Sequence, residues 1–207
     1  MKMNSLPTPT VILRDVPVFK AFLNTEMQAA MVQDLRAVVA AAPLFRPVTM
    51  RGKEMSVRMT SAGKFGWVTD RKGYRYEPRH PSGVDWPAIP QSVMNVWDAV
   101  SGSARRPESC LINFYDEDAK MGMHQDRDEA DFDAPVVSIS LGDSALFRVG
   151  NHERGGKTES VWLDSGDVCV LSGPSRLRFH GIDRVKPNSS TLLGKGGRIN
   201  VTLRVVT

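Results

Sequence analysis

The sequence predicts an α+β fold built on a double-stranded β-helix, or jelly-roll, core. Two observations lead to this class. After about residue 107, eight short apolar or alternating runs succeed one another, and turn residues such as Gly142 and Asp143 separate them. Helical patterns do not alternate with these runs, so an antiparallel jelly roll is favoured over βα units. The 207 residues are enough for one domain with a small N-terminal addition.

Helical patterns precede this core. Thr25 and Gln28 have the spacing of a capping box, and apolar residues recur at helical spacing beyond them until Pro43. A second helix is expected to begin near Pro90, to carry an apolar stripe and to end at Gly102. The pattern therefore predicts two helices ahead of the strand-rich region.

A basic segment with interleaved aromatic residues lies between the two predicted helices. From Arg51 to Arg79, eight basic side chains stand against three acidic ones, an excess larger than the net charge of +4 of the whole chain. The aromatic residues are Phe65, Trp67, Tyr74 and Tyr76. Such a segment suits a phosphate backbone with stackable bases. On charge alone, a solvated basic face with inward-packed rings is the simpler interpretation.

We interpret the chain as a single domain, residues 1–207, with three parts. These are an N-terminal helical extension in residues 1–45, a segment of short strands and loops in about 46–88, and the core in about 107–207. The predicted core strands are Cys110–Phe114, Met121–Gln125, Val136–Leu141, Ala145–Val149, Ser160–Leu163, Val168–Leu171, Arg178–Gly181 and Ile199–Val206. The stretch from Asp183 to Gly197 is expected to be a long surface loop, which in a compact domain is more often functional than decorative.

Composition predicts a cytoplasmic protein without membrane attachment. No apolar run approaches the roughly 18 residues that cross a bilayer, and the first ten residues lack the apolar region of a signal peptide. Cys110 and Cys169 both lie in strand-like apolar runs, so they are expected to be core residues rather than a disulfide. A monomer is the default expectation.

Three residues of the predicted core have the side chains of a metal site. His124 and Asp126 lie two apart on an extended segment, so both can face one ion, and His180 follows on another predicted strand. Two imidazoles and one carboxylate on one face of an ion leave three positions open, the arrangement of non-haem Fe(II) oxygenases. The pair alone is a weak signal, because His-x-Asp pairs also arise by chance. His80 and His152 are interpreted as ordinary core or surface residues.

The alternation of the last predicted strand is a second, independent signal. Arg198, Asn200 and Arg204 recur on one face, and apolar residues occupy the other. A strand with one solvated face explains this alternation. Two arginines and an asparagine could also bind a dicarboxylate, because a guanidinium holds a carboxylate through two hydrogen bonds. Asn113 and Tyr115, two apart on an earlier strand, could add hydrogen bonds from the same side.

Five stretches between Leu111 and Arg204 occur in a recognisable order: LINFY, MHQDRDE, APVVSISLG, SRLRFHGI and RINVTLR. In these stretches the chain resembles the AlkB family of alkylation-repair dioxygenases. The upstream stretch MSVRMT…GKFGWVTDRKGYRYEP is similar to the nucleotide-recognition lid of that family. Together the similar stretches run from about Thr49 to Arg204, which is most of the chain.

The resemblance implies a role for each candidate residue. His124, Asp126 and His180 would ligate Fe(II) and form the catalytic centre. Arg204 would pair with the distal carboxylate of 2-oxoglutarate. The residues that would position the keto acid and its carboxylates are Arg198, Asn113, Tyr115 and Asn200.

The resemblance also implies a substrate pocket. In the family, a flipped base lies between an aromatic ring and a metal-ligand imidazole, which here would be Trp67 and His124. Asp128 would face the exocyclic amine and positive charge of the base. Tyr74, Arg154 and Met55 would complete the pocket and its mouth. For Trp67 a core position, and for Arg154 a solvated loop position, are the alternatives.

The activity implied by the resemblance is direct-reversal DNA repair. Fe(II), 2-oxoglutarate and dioxygen would support hydroxylation of the N-methyl group of 1-methyladenine or 3-methylcytosine, releasing formaldehyde, carbon dioxide and succinate. The expected partner is single-stranded DNA, with duplex DNA and RNA as further candidates. One alternative is the same chemistry on RNA or on a substrate other than nucleic acid. The other is a non-catalytic jelly-roll binding protein, which would not need metal ligands and a dicarboxylate clamp.

Overall fold

The computed structural model describes residues 6–207, which form two α-helices and thirteen strands. The elements before the core are β1 (Val11–Leu13), β2 (Val16–Phe19), α1 (Thr25–Ala41), β3 (Arg58–Gly63), β4 (Gly66–Asp70), β5 (Gly73–Glu77) and α2 (Gln91–Val100). The core strands are β6 (Ser109–Tyr115), β7 (Met121–His124), β8 (Val136–Gly142), β9 (Ala145–Val149), β10 (Glu159–Leu163), β11 (Val168–Leu171), β12 (His180–Val185) and β13 (Arg198–Arg204).

Two antiparallel sheets form a jelly roll, as the sequence predicts. The large sheet has seven strands in the order β1-β2-β11-β8-β13-β6-β3, and the small sheet has four in the order β10-β9-β12-β7. All eight predicted core strands are present, with ends shifted by a few residues. Side chains from both sheets line one cavity. The fold is therefore that of the predicted double-stranded β-helix.

The two helices cover the outer face of the large sheet. Leu35 of α1 and Trp97 of α2 are fully buried in one apolar cluster with Ile112 of β6 and Leu203 of β13. Alternate residues along a strand point to opposite faces. The residues between these apolar positions therefore point to the inner face, where the cavity lies. Helix packing fixes the strands that carry the predicted site.

The capping box expected for α1 is wrong by one residue. The N-cap is Asn24, whose side-chain oxygen accepts a hydrogen bond from the Met27 backbone N–H over 2.9 Å. Thr25 is instead the first helical residue. The Gln28 side chain turns back to donate to the Leu23 carbonyl. Asparagine is as good a cap as threonine, so the local pattern allowed either start.

The N-terminal part is less helical than the sequence pattern suggests. β1 pairs with β2, and β2 pairs with β11, so residues 11–41 extend the large sheet as well as supplying α1. β3 pairs with β6 along its full length and closes the opposite edge. β1 and β2 have only three and four residues, too few to show a clear alternation. The predicted N-terminal helical extension therefore contains α1 together with two short strands that the sequence pattern did not indicate.

β12 lies further along the chain than the predicted strand Arg178–Gly181. It continues past charged Asp183, whose carboxylate pairs with Arg148 on neighbouring β9 at 3.0 Å. The remaining loop, residues 186–197, folds over the Asp143 carboxylate, which accepts several of its backbone N–H groups. No residue of this loop lines the cavity. The loop therefore packs around Asp143 and does not form part of the cavity.

β4 and β5 form a separate two-stranded hairpin over the cavity, which we call the lid hairpin. Its register places Trp67 opposite Tyr76. Only glycine fits at position 66, the first residue of β4, because a Cβ there would lie 2.2 Å from the ring of Trp86. The lid hairpin therefore packs closely on the body of the protein at this point, with Val68 buried against Trp86.

The two cysteines are core residues, as predicted. Both are buried and unlinked, and burial raises the pKa of each thiol to about 12. Cys110 lies in the cluster on the outer face of the large sheet, and Cys169 lies on its inner side. In residues 6–207, the helices are too short or too polar to cross a bilayer.

Candidate metal and co-substrate site

The two histidines of the predicted site are cross-strand partners. His124 ends β7, His180 begins β12, and the register of these strands pairs them directly. Their ring centroids lie 4.5 Å apart. Asp126 follows β7, and its carboxylate oxygens lie 3.8 Å from His124 Nε2 and 3.7 Å from His180 Nε2. One ligand atom from each of the three residues lies within 4.8 Å of the others, so the three can hold one metal ion.

Backbone carbonyls orient both imidazoles toward this point. His124 Nδ1 lies 2.9 Å from the Gly122 carbonyl oxygen, and His180 Nδ1 lies 3.0 Å from that of Arg178. A carbonyl can only accept, so each Nδ1 carries the hydrogen and each Nε2 presents its lone pair toward Asp126. Metal-ligating histidines commonly have such an outer hydrogen bond. The geometry therefore suits a cation between the three side chains.

The charges of the cluster suit a cation as well. Burial alone would raise the pKa of Asp126, but Arg204, His180 and His124 together hold it well below its usual range. Burial, followed by the neighbouring His124, lowers the pKa of His180 to about 4. At neutral pH, Asp126 is thus a carboxylate and His180 a neutral imidazole, the forms that ligate a metal.

The other two histidines make structural contacts, as expected. His80 is buried, and its ring nitrogens contact the Pro43 carbonyl oxygen at 2.9 Å and the Ser82 hydroxyl at 2.7 Å. His152 lies in a surface loop with Nε2 2.7 Å from the Pro174 carbonyl oxygen. Neither belongs to the metal-ligand cluster.

One cavity of about 570 Å³ connects the cluster with the inner face of the large sheet. The β6–β13 register pairs Asn113 with Asn200 and Tyr115 with Arg198. These four side chains and Arg204 all line the cavity. The period of two that the sequence shows in both strands therefore brings the predicted polar set to one surface.

The two arginines of β13 have opposite electrostatic surroundings. Arg204 is buried, and its Nη2 donates to Asp126 Oδ1 at 3.0 Å while its Nε lies 3.3 Å from a Glu129 oxygen. Arg198 is fully buried, and its contacts are to neutral oxygens such as the Ser140 hydroxyl at 2.8 Å. Among residues 6–207, no carboxylate forms an ion pair with Arg198. Burial accordingly lowers its pKa, whereas Asp126 is the main influence that raises that of Arg204 against burial.

The positions of Arg198 and Arg204 differ from those expected for their roles in binding the keto acid. A diacid that reaches a metal ion with one end places its other carboxylate away from the metal. Arg204 touches the carboxylate of Asp126, so it lies at the metal end of the cavity. Arg198 lies six residues earlier on the same face of β13 and forms no ion pair with another described residue. The expectation that Arg204 meets the distal carboxylate therefore does not fit this geometry, since an alternating strand shows which residues share a face but not which lies near the metal.

Asn200, Asn113 and Tyr115 differ in whether the protein itself satisfies their hydrogen-bonding groups. Asn200 Nδ2 donates to the Ser138 hydroxyl at 2.7 Å and to a backbone carbonyl, so it supports the cavity wall. Asn113 Oδ1 is buried without a hydrogen-bond partner in residues 6–207. Burial raises the pKa of Tyr115 to about 12, so it remains a neutral phenol at neutral pH. Asn113 and Tyr115 are therefore the members best placed to contact a ligand.

The lid hairpin and the segment after β7 form the mouth of the cavity. Trp67 Nε1 donates to Asp128 Oδ2 at 2.8 Å, and the Trp67 ring stacks on Tyr74 with centroids 5.5 Å apart. Met55 lines the same mouth, and the Arg154 guanidinium lies over the Phe179 ring at 4.9 Å. All of the expected pocket residues thus face the cavity. The alternative that Trp67 belongs to the core is wrong.

A buried network beneath the lid hairpin was missed by the sequence analysis. Glu129 accepts a hydrogen bond of 2.5 Å from the Tyr76 hydroxyl and one of 3.0 Å from Arg176 Nη2, and it also contacts Arg204. Arg176 further donates to the backbone carbonyl of Asp126 at 2.6 Å. The signal available in the sequence was the third acidic residue of HQDRDE, next to two acids that already had roles.

Comparison with known proteins decides the family. The family model described as the 2OG-Fe(II) oxygenase superfamily matches residues 15–204. The alpha-ketoglutarate-dependent dioxygenase AlkB homolog of Caulobacter vibrioides is 46% identical over 203 residues, which cover 98% of this chain and 92% of that protein. The chain belongs to the AlkB family of 2OG-Fe(II) oxygenases.

Further similarities agree with AlkB-family membership. The alpha-ketoglutarate-dependent dioxygenase AlkB of Escherichia coli K12 is 42% identical over 161 residues, which cover 75% of this chain and 74% of that protein. The solved structure of OsALKBH1 superposes with a TM-score of 0.77 at 29% identity, over 92% of this chain and 97% of that chain. The chain is therefore a dioxygenase that uses Fe(II), 2-oxoglutarate and dioxygen.

The described residues fit the groups that the AlkB family uses. The metal-ligand cluster has three convergent donors with both imidazole Nδ1 atoms already satisfied. Arg198 is a buried cation without a counter-ion, and Arg204 Nη1 is buried without a hydrogen-bond partner in residues 6–207. Unpaired buried cations are costly, so a bound dianion would remove that cost. The cavity therefore has places for both the metal and the keto acid.

Proposed function

We propose that this dioxygenase removes N-methyl groups from damaged bases of single-stranded DNA, with 1-methyladenine and 3-methylcytosine as substrates. One observation carries the proposal: a single cavity joins the metal-ligand cluster, the buried arginines and the lid hairpin. A nucleotide base that enters at the lid hairpin would meet the metal without leaving that cavity. The reaction would reverse alkylation damage directly, without excision of the base.

In this proposal His124, Asp126 and His180 hold Fe(II). When bound, Fe(II) and 2-oxoglutarate would activate dioxygen, of which one oxygen atom would hydroxylate the N-methyl group and the other would enter succinate. The hydroxylated methyl group would leave as formaldehyde, and carbon dioxide would be the remaining product. The protein contributes position and exclusion of water. The backbone carbonyls of Gly122 and Arg178 keep both Nε2 lone pairs directed at the ion.

We assign the two arginines to the two ends of the keto acid. Arg204 contacts Asp126 and has Nη1 free, so it would hold the carboxylate nearer the metal. Arg198 would hold the distal carboxylate and gain the counter-ion that the protein lacks there. Asn113 and Tyr115 would donate to the same molecule from β6, which pairs with β13 in the same sheet, and Asn200 would support the cavity wall beside Asn113.

Selection of the damaged base would depend on charge. Both proposed lesions carry a positive charge at neutral pH, and Asp128 places a carboxylate at the mouth of the cavity. Trp67 holds that carboxylate by a hydrogen bond and presents its ring for stacking. The methyl group weakens base pairing, so a damaged or unpaired base leaves its stack at lower cost. Tyr74 and Arg154 would contact the backbone or the base edge at the mouth, beside Met55.

The proposed substrate is single-stranded DNA, and the proposed enzyme is monomeric and cytoplasmic. On the exposed side of the lid region, four basic side chains form no ion pair with another described residue: Arg51, Lys53, Arg71 and Lys72. Arg71 and Lys72 form the turn of the lid hairpin, whose strands carry Trp67, Tyr74 and Tyr76. Such an arrangement supports salt-dependent binding of a phosphate backbone with stacking of its bases. Duplex DNA and RNA are further substrates to compare.

The decisive experiment measures loss of one methyl group from a synthetic oligonucleotide. We expect a single-stranded oligonucleotide with one 3-methylcytosine to lose 14 mass units, about one CH₂, only when Fe(II) and 2-oxoglutarate are both present. Formaldehyde should appear in equal amount. Co-substrate consumption without loss of methyl from DNA or RNA would refute the nucleic-acid assignment and leave the family chemistry intact. Asp126→Ala is the inactive control.

A further inference from the structure

The turn between β1 and β2 has an unusual backbone for its residues. Leu13 and Val16 are directly paired, so Arg14 and Asp15 form a two-residue hairpin turn. Their φ angles are 47° and 65°, both in the left-handed region. Turns of this kind normally have Asn-Gly or a similar pair, because other side chains are strained at positive φ. Arginine and aspartate here therefore indicate that the two side chains have a use of their own.

Arg14 contacts the loop between β9 and β10, residues 150–158. Its Nη1 donates to Asn151 Oδ1 at 2.7 Å, and its Nε lies 3.1 Å from a Glu159 oxygen at the far end of the loop. The other end of the Asn151 amide donates to the Gly155 carbonyl at 3.3 Å. Arg14 thus fixes the orientation of an amide that closes the loop on itself. Arg154 lies inside that closure.

Asp15 makes the second contact of the turn. Its carboxylate accepts from Arg178 Nη2 at 2.5 Å, and Arg178 Nη1 lies 3.3 Å from the Gly150 carbonyl oxygen at the start of the loop. The following residue, Phe179, exchanges backbone hydrogen bonds with Gly150 and Asn151. The Phe179 ring is also the surface on which the Arg154 guanidinium rests. The turn therefore braces both the loop and the ring beneath Arg154.

The loop is shaped to accept this brace. Gly156 has φ 78°, and a Cβ there would lie 2.5 Å from Asn151 Nδ2. Only glycine therefore fits at position 156, because the Asn151 amide packs directly against the backbone there. The side chain of Gln125 also donates to the His152 carbonyl at 3.0 Å from the cavity side. Arg14 contacts the same loop through the side chain of Asn151.

We propose that Arg14 and Asp15 are positioning residues for nucleic-acid binding: the strained turn holds the 150–158 loop so that Arg154 faces the mouth of the cavity. The inference rests on the proposed function, since it assumes that Arg154 contacts the nucleic acid. It extends that function to a part of the chain far from the metal in sequence. The hairpin retains a less stable turn sequence because the stable one would lose both contacts.

The test uses the double variant Arg14→Asn/Asp15→Gly, which installs a favourable turn and removes both contacts. We expect the unfolding temperature to stay level or rise. The KM for the methylated oligonucleotide should rise about five-fold, as for one lost orienting hydrogen bond, with kcat and the KM for 2-oxoglutarate unchanged. The double variant leaves the net charge unchanged. Arg36→Asn, which removes an exposed charge from α1, is the matched control for the charge lost in the single variant Arg14→Asn.

A double-mutant cycle checks that the effect acts through Arg154. Arg14→Asn should raise the oligonucleotide KM in the wild-type background but change it little in the Arg154→Ala background. A fall in unfolding temperature together with unchanged oligonucleotide KM would show a purely structural turn and overturn the proposal. Equal effects of Arg14→Asn in both backgrounds would overturn it as well.

Hydrogen exchange gives a readout that does not depend on the substrate. The amides of residues 152–157 should exchange faster in Arg14→Asn than in wild type or Arg36→Asn. Unchanged exchange would refute the brace even if the oligonucleotide proved to be the wrong substrate. Failure of the wild-type enzyme to demethylate any oligonucleotide would instead refute the proposed function, so the two failures are distinguishable.

Discussion

Arg204 Nη2 donates to Asp126 Oδ1 across 3.0 Å, so the last strand of the large sheet touches the metal-ligand cluster directly. The neighbouring arginine on the same face, Arg198, has neutral partners only among the described residues. One strand therefore presents an ion-paired guanidinium at the metal-ligand cluster and, at the far end of the cavity, a guanidinium that forms no ion pair within residues 6–207. A dianionic keto acid that chelates the metal would place one carboxylate near Arg204 and the other near Arg198.

This difference predicts opposite stability effects for the two arginines. In metal-free protein, Arg204→Met should lower the unfolding temperature by about 10 °C, because it leaves the buried Asp126 carboxylate without its ion pair and removes one of the two arginines that contact buried Glu129. Arg198→Met should leave the unfolding temperature level or raise it, because it removes a buried charge without a counter-ion. Differential scanning calorimetry without Fe(II) and 2-oxoglutarate measures both. Equal losses in the two variants would contradict the assignment.

The same substitution at Arg198 should weaken co-substrate binding. Loss of a charge-assisted contact to the distal carboxylate should raise the KM for 2-oxoglutarate about 10- to 100-fold. The KM for the oligonucleotide should be unchanged, since Arg198 lies at the closed end of the cavity. Formaldehyde release at varied 2-oxoglutarate measures the effect. An unchanged KM would place the distal carboxylate elsewhere.

The metal-ligand cluster predicts a spectroscopic effect that is independent of turnover. Fe(II) and 2-oxoglutarate added without oxygen should give wild-type protein a weak visible charge-transfer band. His124→Ala should lose that band and all formaldehyde release, and should remain folded because His124 is partly exposed at a strand end. His152→Ala removes an imidazole outside the cluster and should keep the band. A band retained in His124→Ala would remove this residue from the metal site.

The metal-ligand cluster was predictable because each part of it has a local signature. His124 and Asp126 are close in sequence, and the alternation along β13 shows which residues share a face. The match of β7 to β12 requires only that two predicted strands pair. The order of the strands along the chain and the period-two alternation within them therefore predicted most of the site residues. The resemblance to the AlkB family supplied the roles of those residues.

Long-range contacts were the part that the sequence could not show. Glu129 meets Tyr76, which lies 53 positions earlier, and Arg204, which lies 75 positions later. Whether Arg198 or Arg204 lies near the metal depends on the direction of β13 relative to the small sheet, which no period reveals. Strands as short as β1 are formed by their partners rather than by their own pattern.

Charge selection at the mouth of the cavity is the next prediction. Asp128→Asn should reduce kcat/KM for cationic 3-methylcytosine about 10- to 100-fold, since the contact to a positive base is charge-assisted. It should change kcat/KM much less for the neutral base 3-methylthymine. The ratio of the two values, measured in matched oligonucleotides, is the readout. An unchanged ratio would show that Asp128 serves only to hold Trp67.

The hydrogen bond between Tyr76 and Glu129 predicts that this contact holds the lid hairpin in place over the cavity. Tyr76→Phe removes the hydroxyl that donates to Glu129 at 2.5 Å, and it leaves the ring in place. Loss of a hydrogen bond to a charged group should cost about 1.5–3 kcal/mol of stability. If the lid hairpin moves as a result, the KM for the oligonucleotide rises while that for 2-oxoglutarate stays level. Ser92→Ala, which removes a hydroxyl that donates to the Asp34 carboxylate between the two helices, controls for loss of a hydroxyl–carboxylate hydrogen bond away from the cavity. A rise in the 2-oxoglutarate KM alone would show that Tyr76 acts through Arg204 rather than through the lid hairpin.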